Sequence, residues 1–354
     1  MNQKMTTQTK MTRRILLRVA YDGTNYHGWQ LQPNAATIEG ELNRALCALT
    51  GEEIVVTGAS RTDAGVHALG NVAVFDTTSR IPAEKFSYAL NQRLPEDIVI
   101  QSSKQVADDF HPRHCDCRKN YEYDILNRTF PLPAYRNTAY FLYGTLNIEA
   151  MRRACQAFLG EHDFASFCAA GAQVQTTVRK IYSLEVECRP LTEAGTPVPP
   201  ASGEAVNAAD GKHGEQVQQA QSASGEMLNA AAGESGEQVQ QAQSASGEML
   251  NAATGESDEQ VQQAQPESGE TAIPAAGGTN AGSADQLLTI RVKGNGFLYN
   301  MVRIIAGTLV EVGRGHIKPE EVAGIIAAKD RAKAGPTAPA RGLRLVEIEY
   351  RNNL

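Results

Sequence analysis

Four polar side chains crowd into seven positions of this chain: Arg61, Thr62, Asp63 and His67, within the run Ser60-Arg61-Thr62-Asp63-Ala64-Gly65-Val66-His67-Ala68. A carboxylate set among an arginine and a histidine has the chemistry of a nucleophile or a base, and function gathers on loops that rigid elements hold in place. The plain alternative is a capped turn, since Asp-Ala-Gly is ordinary turn chemistry and Asp63 would then only accept backbone amides. The elements around the loop have to decide between the two.

A β-type run, Ile54-Val55-Val56-Thr57, leads into the loop, and a second, Asn71-Val72-Ala73-Val74-Phe75, follows it. Before them, Arg13 to Tyr21 reads as a first strand ended by Asp22-Gly23, and Ile38, Leu42, Ala45, Leu46 and Leu49 give a helix over 37–50. Between these lies Tyr26-His27-Gly28-Trp29, where the single Trp of the chain fits packing over a sheet end better than ligand contact. A helix following Pro82 and a strand over 97–104 complete the order strand–helix–strand–strand–helix–strand, the ferredoxin-like pattern.

Phe110-His111-Pro112-Arg113-His114 links to a second half. Two histidines suggest a metal, but no third ligand sits at sensible spacing, and a basic loop against phosphate fits better. In Arg118 to Leu126 alternate residues share a face, so Lys119, Tyr121, Tyr123 and Ile125 point one way, toward the core or a cleft. Tyr121 then either packs in the core or stacks on a base. A helix over 148–159, a polar loop with Gln173, Val174, Gln175 and Thr176, and two strands over 180–189 and 286–293 follow. The chain closes with an apolar helix over 299–312, another over 319–328, a Pro/Gly-fixed loop and a strand over 345–350. Arg303 stands as a lone charge among Met301, Val302, Ile304 and Ile305, where an arginine is rarely left unpaired.

The formal charge of −7 is unevenly spread. Residues 190–285 hold fourteen Asp or Glu against Lys212 alone, so this segment bears −13 and the rest of the chain +6. It is a repeat array: GEQVQQAQSASGEMLNAA stands at 214 and again at 236, and EQVQQAQ recurs at 259. Without aromatics and with few aliphatics it cannot repay the entropy of ordering, and it reads as a disordered extension of a hairpin tip. The six cysteines show no Cys-x-x-Cys pair and read as reduced thiols. No signal peptide or membrane-length apolar stretch appears, which points to a cytoplasmic protein. Residues 1–12 read as a disordered tail.

A basic body, one carboxylate on a rigid loop, a buried arginine to hold it ionised and an inward tyrosine point to a single catalytic carboxylate acting on a nucleic acid. No Gly-rich phosphate loop, zinc motif or Ser-His-Asp arrangement competes, so neither metal nor cofactor is expected. A non-catalytic RNA-binding protein and a hydrolytic nucleoside N-glycosidase are the other readings.

The runs YDGTNYHGWQ, RTDAGVHA, KNYEYDI, FLYNMVRIIAGTLVEVG and AKDR…AGPTAPARGLRLVEIEY, in this order, together resemble the bacterial tRNA pseudouridine synthases of the TruA type. The resemblance covers about 13–189 and 286–351. It implies an α+β chain of two ferredoxin-like (RRM-like) halves, 13–112 and 113–189 with 286–354, with antiparallel sheets around a central cleft. It implies isomerisation of uridine to pseudouridine at positions 38, 39 and 40 of tRNA, without cofactor or metal, by a homodimer that binds the anticodon arm across two subunits. Asp63 then matches the catalytic aspartate, Arg303 its ion-pair partner and Tyr121 the tyrosine that stacks on the target uracil. Arg61, the loop Phe110, His111, Pro112, Arg113 and His114, and the loop around Gln173, Val174, Gln175 and Thr176 match tRNA-contacting positions. Two chemical routes are open to Asp63: attack on C1′, or removal of a ribose proton to give a glycal.

Overall fold

In a computed structural model the described residues are 11–171, 174–198 and 285–351, and they fall in one compact unit. The expected tail and repeat array lie outside them, apart from residues 11–12, 190–198 and 285. The first half contributes β1 (Arg13–Tyr21), α1 (Ile38–Thr50), β2 (Thr57–Gly58), β3 (His67–Thr77), α2 (Phe86–Asn91) and β4 (Ile98–Val106). The second contributes β5 (Cys117–Asn127), β6 (Tyr140–Leu142), α3 (Ile148–Cys155), β7 (Gly160–Asp163), β8 (Val178–Pro190), β9 (Gln286–Gly294), α4 (Met301–Gly313), α5 (Val322–Ala328) and β10 (Leu343–Tyr350).

Among the described residues all ten strands join one sheet, in the order β4-β1-β3-β10-β5-β9-β8-β7, with β2 on β3 and β6 on β5. The halves meet where the last strand crosses back. β10 lies antiparallel to β5 and, over Arg344 and Leu345 only, parallel to His67 and Ala68 of β3. That short seam brings the first residues after the Asp63 loop beside the C-terminal strand. One face of the sheet is apolar, with Ile15, Leu17, Phe75, Tyr123, Ile125, Ile290 and Leu345 buried. The other face of the second half is polar. There Arg344 reaches Asp124 at 2.5 Å and Glu122 at 2.5 Å, Arg291 reaches Glu122 at 2.8 Å, and Thr289 donates to Asp124 at 2.7 Å. The alternation read in β5 separates these two faces correctly.

Three expected boundaries move for local reasons. The strand read over 54–57 shrinks to Thr57–Gly58, because side chains of α1 take its backbone groups: the Val56 amide donates to Asn43 and the Ile54 amide to the Cys47 sulfur. The long helix starts at Met301, two residues late, because Asn300 is left-handed at φ 59. The hairpin tip is also longer than read. Pro190 pairs with Gln286, but Leu191 still bridges Pro197 and the Val198 amide donates to the carbonyl of Pro190. Trp29 is fully buried and lies against Gly58, as expected for core packing. All six cysteines are free thiols.

Candidate active site

The Asp63 loop is fastened from three sides. Ahead of it, the Ala59 amide donates to Val72 at 2.7 Å, so β2 delivers the chain against β3. Beneath it, the Tyr21 hydroxyl meets the Thr62 hydroxyl at 2.8 Å, and the Asn71 side-chain Nδ2 donates to the Ser60 carbonyl at 2.9 Å. Around it wraps the segment 22–29: the Trp29 amide donates to the Thr62 carbonyl at 3.0 Å, and the Gly65 amide to the Tyr26 carbonyl at 3.2 Å. Gly28, at φ +90, approaches so closely that a Cβ would stand 2.6 Å from the Thr62 carbonyl oxygen. His67 is spent on the same scaffold. Its Nδ1 accepts the Gly23 amide at 3.2 Å and its Nε2 donates to the Asn137 carbonyl at 2.8 Å.

Arg303 comes from the first turn of α4. Its Nε donates to the Ala338 carbonyl at 2.7 Å and one terminal nitrogen to Asn300 Oδ1 at 2.8 Å. The same nitrogen stands 3.6 Å from Asp63 Oδ2, with both side chains largely buried. The loop carrying Ala338 docks on α4 through close backbone approach. A Cβ on Gly307 would collide with the Pro336 carbonyl, and the Gly335 amide donates to the Thr308 hydroxyl at 2.9 Å.

The pairing expected from the sequence is therefore present, but its electrostatic balance is not the expected one. Burial raises the Asp63 carboxyl above its ordinary value, and the Arg303 charge offsets only part of that rise. An ion pair at 3.6 Å is too long to outweigh the desolvation of a mostly buried carboxylate.

Asp63 opens into a cleft of about 1050 Å³ between the halves. Tyr121 enters it from β5, 9 % exposed, with the edge of Phe297 at 5.2 Å between ring centroids. Burial pushes its phenol up to about 12, so it stays neutral at physiological pH. Arg61, Arg113, Val174 and Thr176 also line the cleft. Phe110, His111, Pro112 and His114 do not. Phe110 packs on Tyr350, whose hydroxyl donates to the Pro112 carbonyl, and His111 and His114 stack on each other at 4.0 Å. Gln175 is exposed outside the lining, and Gln173 lies outside the described residues. Among the described residues no group of three or more His, Cys, Asp or Glu side chains is placed to hold a metal ion.

The lining also includes residues that the sequence did not mark as site residues: Lys119, Arg179 and the stretch 295–300, with Phe297 and a half-exposed Tyr299. Lys119 had a signal, since it stands two residues before Tyr121 on the same strand face.

A family model described as tRNA pseudouridine synthase matches residues 18–114, 154–198 and 236–351. The chain belongs to the tRNA pseudouridine synthase family. It is 38% identical to the tRNA pseudouridine synthase A of Ruminiclostridium cellulolyticum, over 96% of this chain and the whole of that relative. The proteins of the same name from Thermoanaerobacter sp. strain X514 and Acetivibrio thermocellus are 37% and 36% identical over the same shares. Asp63 and Arg303 fall inside the family-model blocks, whereas Tyr121 falls between them.

Proposed function

We propose that this chain converts uridine to pseudouridine at positions 38, 39 and 40 of tRNA, in the anticodon arm, with Asp63 as the catalytic carboxylate. That it is a tRNA pseudouridine synthase follows from its family. The observation that carries the residue assignment is one carboxylate, held by a fastened loop and an arginine, opening beside Tyr121 into a cleft of nucleotide size. The C1′–N1 bond breaks, the uracil turns over, and C5 bonds to C1′; C5 then gives up its proton to solvent and N1 takes one up, so that the product is an isomer of the substrate. A carboxylate whose affinity for protons is raised by burial is a better nucleophile or base than a solvated one, and Arg303 keeps it ionised and aimed. The target base has to leave its stack at a cost of a few kcal/mol, and stacking on Tyr121 where it lines the cleft offsets part of this. Arg61, Arg113, Val174 and Thr176 are the tRNA-contacting positions that line the cleft. Phe110, His111, Pro112 and His114 serve mainly to hold Arg113 there.

The strand orders support the reading as two ferredoxin-like halves around this cleft. β10-β5-β9-β8 has the antiparallel order of that fold in full, and β4-β1-β3-β2 has it with β2 reduced to two residues. The same reading includes a cytoplasmic homodimer that holds one tRNA across two subunits, which sedimentation with and without tRNA tests.

The decisive experiment compares wild type with Asp63→Asn on tRNA carrying tritium at uridine C5. We expect isomerisation to fall by at least ~1000-fold with tRNA binding retained. Unchanged tritium release refutes the assignment, and free uracil as product favours a glycosidase instead.

A further inference from the structure

Four cationic side chains face one another in the cleft: Arg61 from the Asp63 loop, Arg113 from the link between the halves, Lys119 from β5 and Arg179 from β8. Among the described residues none of them forms an ion pair. Three are fixed instead by backbone carbonyls. Arg113 Nε donates to Gly58 at 2.7 Å, Lys119 Nζ to Ala59 at 2.9 Å, and Arg179 to Thr176 and Val178 at 2.9 and 2.6 Å. Each keeps further N–H donors free. Arg179 also lies along Gly296, where a Cβ would come within 3.6 Å of its Nε.

Such a grouping is unfavourable on its own. Burial, then the charges of Arg113, Arg179 and Arg61, push Lys119 down to about 8, while Cys117 opposes them. Arg113 is pushed down by burial and then by Arg61. Unpaired cations held together by backbone bonds are compensated by an anion that arrives with the ligand.

We propose that Arg113, Lys119 and Arg179 form a binding site for a phosphodiester group of the RNA strand beside the target nucleotide, with Lys119 at its centre. The proposal rests on the reading of the cleft as a tRNA site. It separates these residues from the reacting atoms: they set affinity and register, not the chemical step. It also gives binding a pH dependence. The Lys119 charge is present below about 8 and lost above it, so affinity falls as the pH rises through that value. Arg61, Arg113 and Arg179 are the guanidinium groups that face Lys119 from the other elements. Burial holds the Cys117 thiol and the Tyr121 phenol in their neutral forms. Cys115, also in the lining, is controlled by Cys115→Ser.

The test measures the dissociation constant of an anticodon-arm hairpin against salt and pH, alongside the single-turnover rate at saturation. Lys119→Met and Arg179→Gln are each expected to reduce the slope of log K against log salt by about 0.7–0.9. Each should weaken binding about tenfold at moderate salt and leave the saturated rate within about threefold. Lys119→Arg should restore affinity and flatten the loss between pH 7 and 9. A saturated rate that falls while the slope stays unchanged makes Lys119 a brace for Ala59 and overturns the proposal. Inorganic phosphate that displaces the hairpin at micromolar concentration and constant ionic strength also overturns it, since the site would then be built for the free ion. If the wild type binds the hairpin with the expected slopes but isomerises nothing, the phosphodiester site stands and the activity reading falls.

Discussion

The strands β8 and β9 end in two very different places. At one end, Val178 and Arg179 begin β8, residues 295–300 follow β9, and all of these but the backbone ties between them face the cleft. Those ties are tight: the Lys180 amide donates to Asn295 Oδ1 at 2.9 Å, and the Asn295 amide returns to the Lys180 carbonyl at 3.0 Å. At the other end, about 27 Å away at strand rise, the hairpin satisfies itself. The Leu191 amide donates to Asp285 at 2.8 Å, the hydroxyls of Thr192 and Thr196 meet at 2.8 Å, and Arg128 pairs with Asp285 at 2.7 Å. One end presents donors to the cleft, and the other ties its two strands to each other. The strand ends at Val198 and Asp285 are thus tied together by their own hydrogen bonds, whatever the length of chain that joins them.

The contrast can be tested at both ends. On the cleft side, Gly28→Ala forces a side chain onto the Thr62 carbonyl at positive φ. We expect it to cost about 100-fold in rate, since small misplacements of a reacting group are that expensive, and circular dichroism should show the fold retained with a lower melting temperature. Arg303→Ala comes next. It removes the one charge that lowers the Asp63 carboxyl, which burial already raises, so the acid limb of the rate profile should move to higher pH. A rate loss of about tenfold near neutrality is expected, partly recovered by Arg303→Lys. A shift of the limb to lower pH breaks the account. At the far end, replacing 199–284 with a short Gly-Ser linker should change kcat/KM no more than a few-fold. A large loss would mean that the two ends are not independent.

The smallest effect concerns stability. The folded-state Asp63 carboxyl is raised, so its ionised form opposes folding once the pH exceeds that raised value. Asp63→Asn should thus melt about 1–3 °C higher at pH 7, with the difference shrinking as the solution is acidified.

The parts of this site legible in the sequence were those with local signatures. The turn chemistry of 60–68 marked the loop, the strand period turned Tyr121 and Lys119 to one side, and an isolated arginine in an apolar helix announced its need for a partner. What remained hidden depended on tertiary placement. Nothing local says that Asn43 and Cys47 will take the backbone groups of 54–56, or that β10 will join β3 over two residues. The electrostatic outcome at Asp63 was hidden for the same reason: the sequence supplies the arginine, but the distance and the depth of burial decide which influence prevails. The loop 110–114 divides between the cleft and the packing behind it, which its composition does not reveal. Its composition suits phosphate, yet the backbone turns Arg113 alone toward the cleft and commits the aromatic ring and the proline carbonyl to Tyr350.

Trp29 carries a practical consequence. It is the one indole in the chain, fully buried, pressed against Gly58, with its amide bonded to the Thr62 carbonyl. Emission from the unmodified protein is therefore a site-specific optical report on the Asp63 loop, free of labels and of background from any other tryptophan. A blue emission band signals a seated loop, and a red shift signals its release, on any timescale that a stopped-flow or temperature-jump instrument can follow.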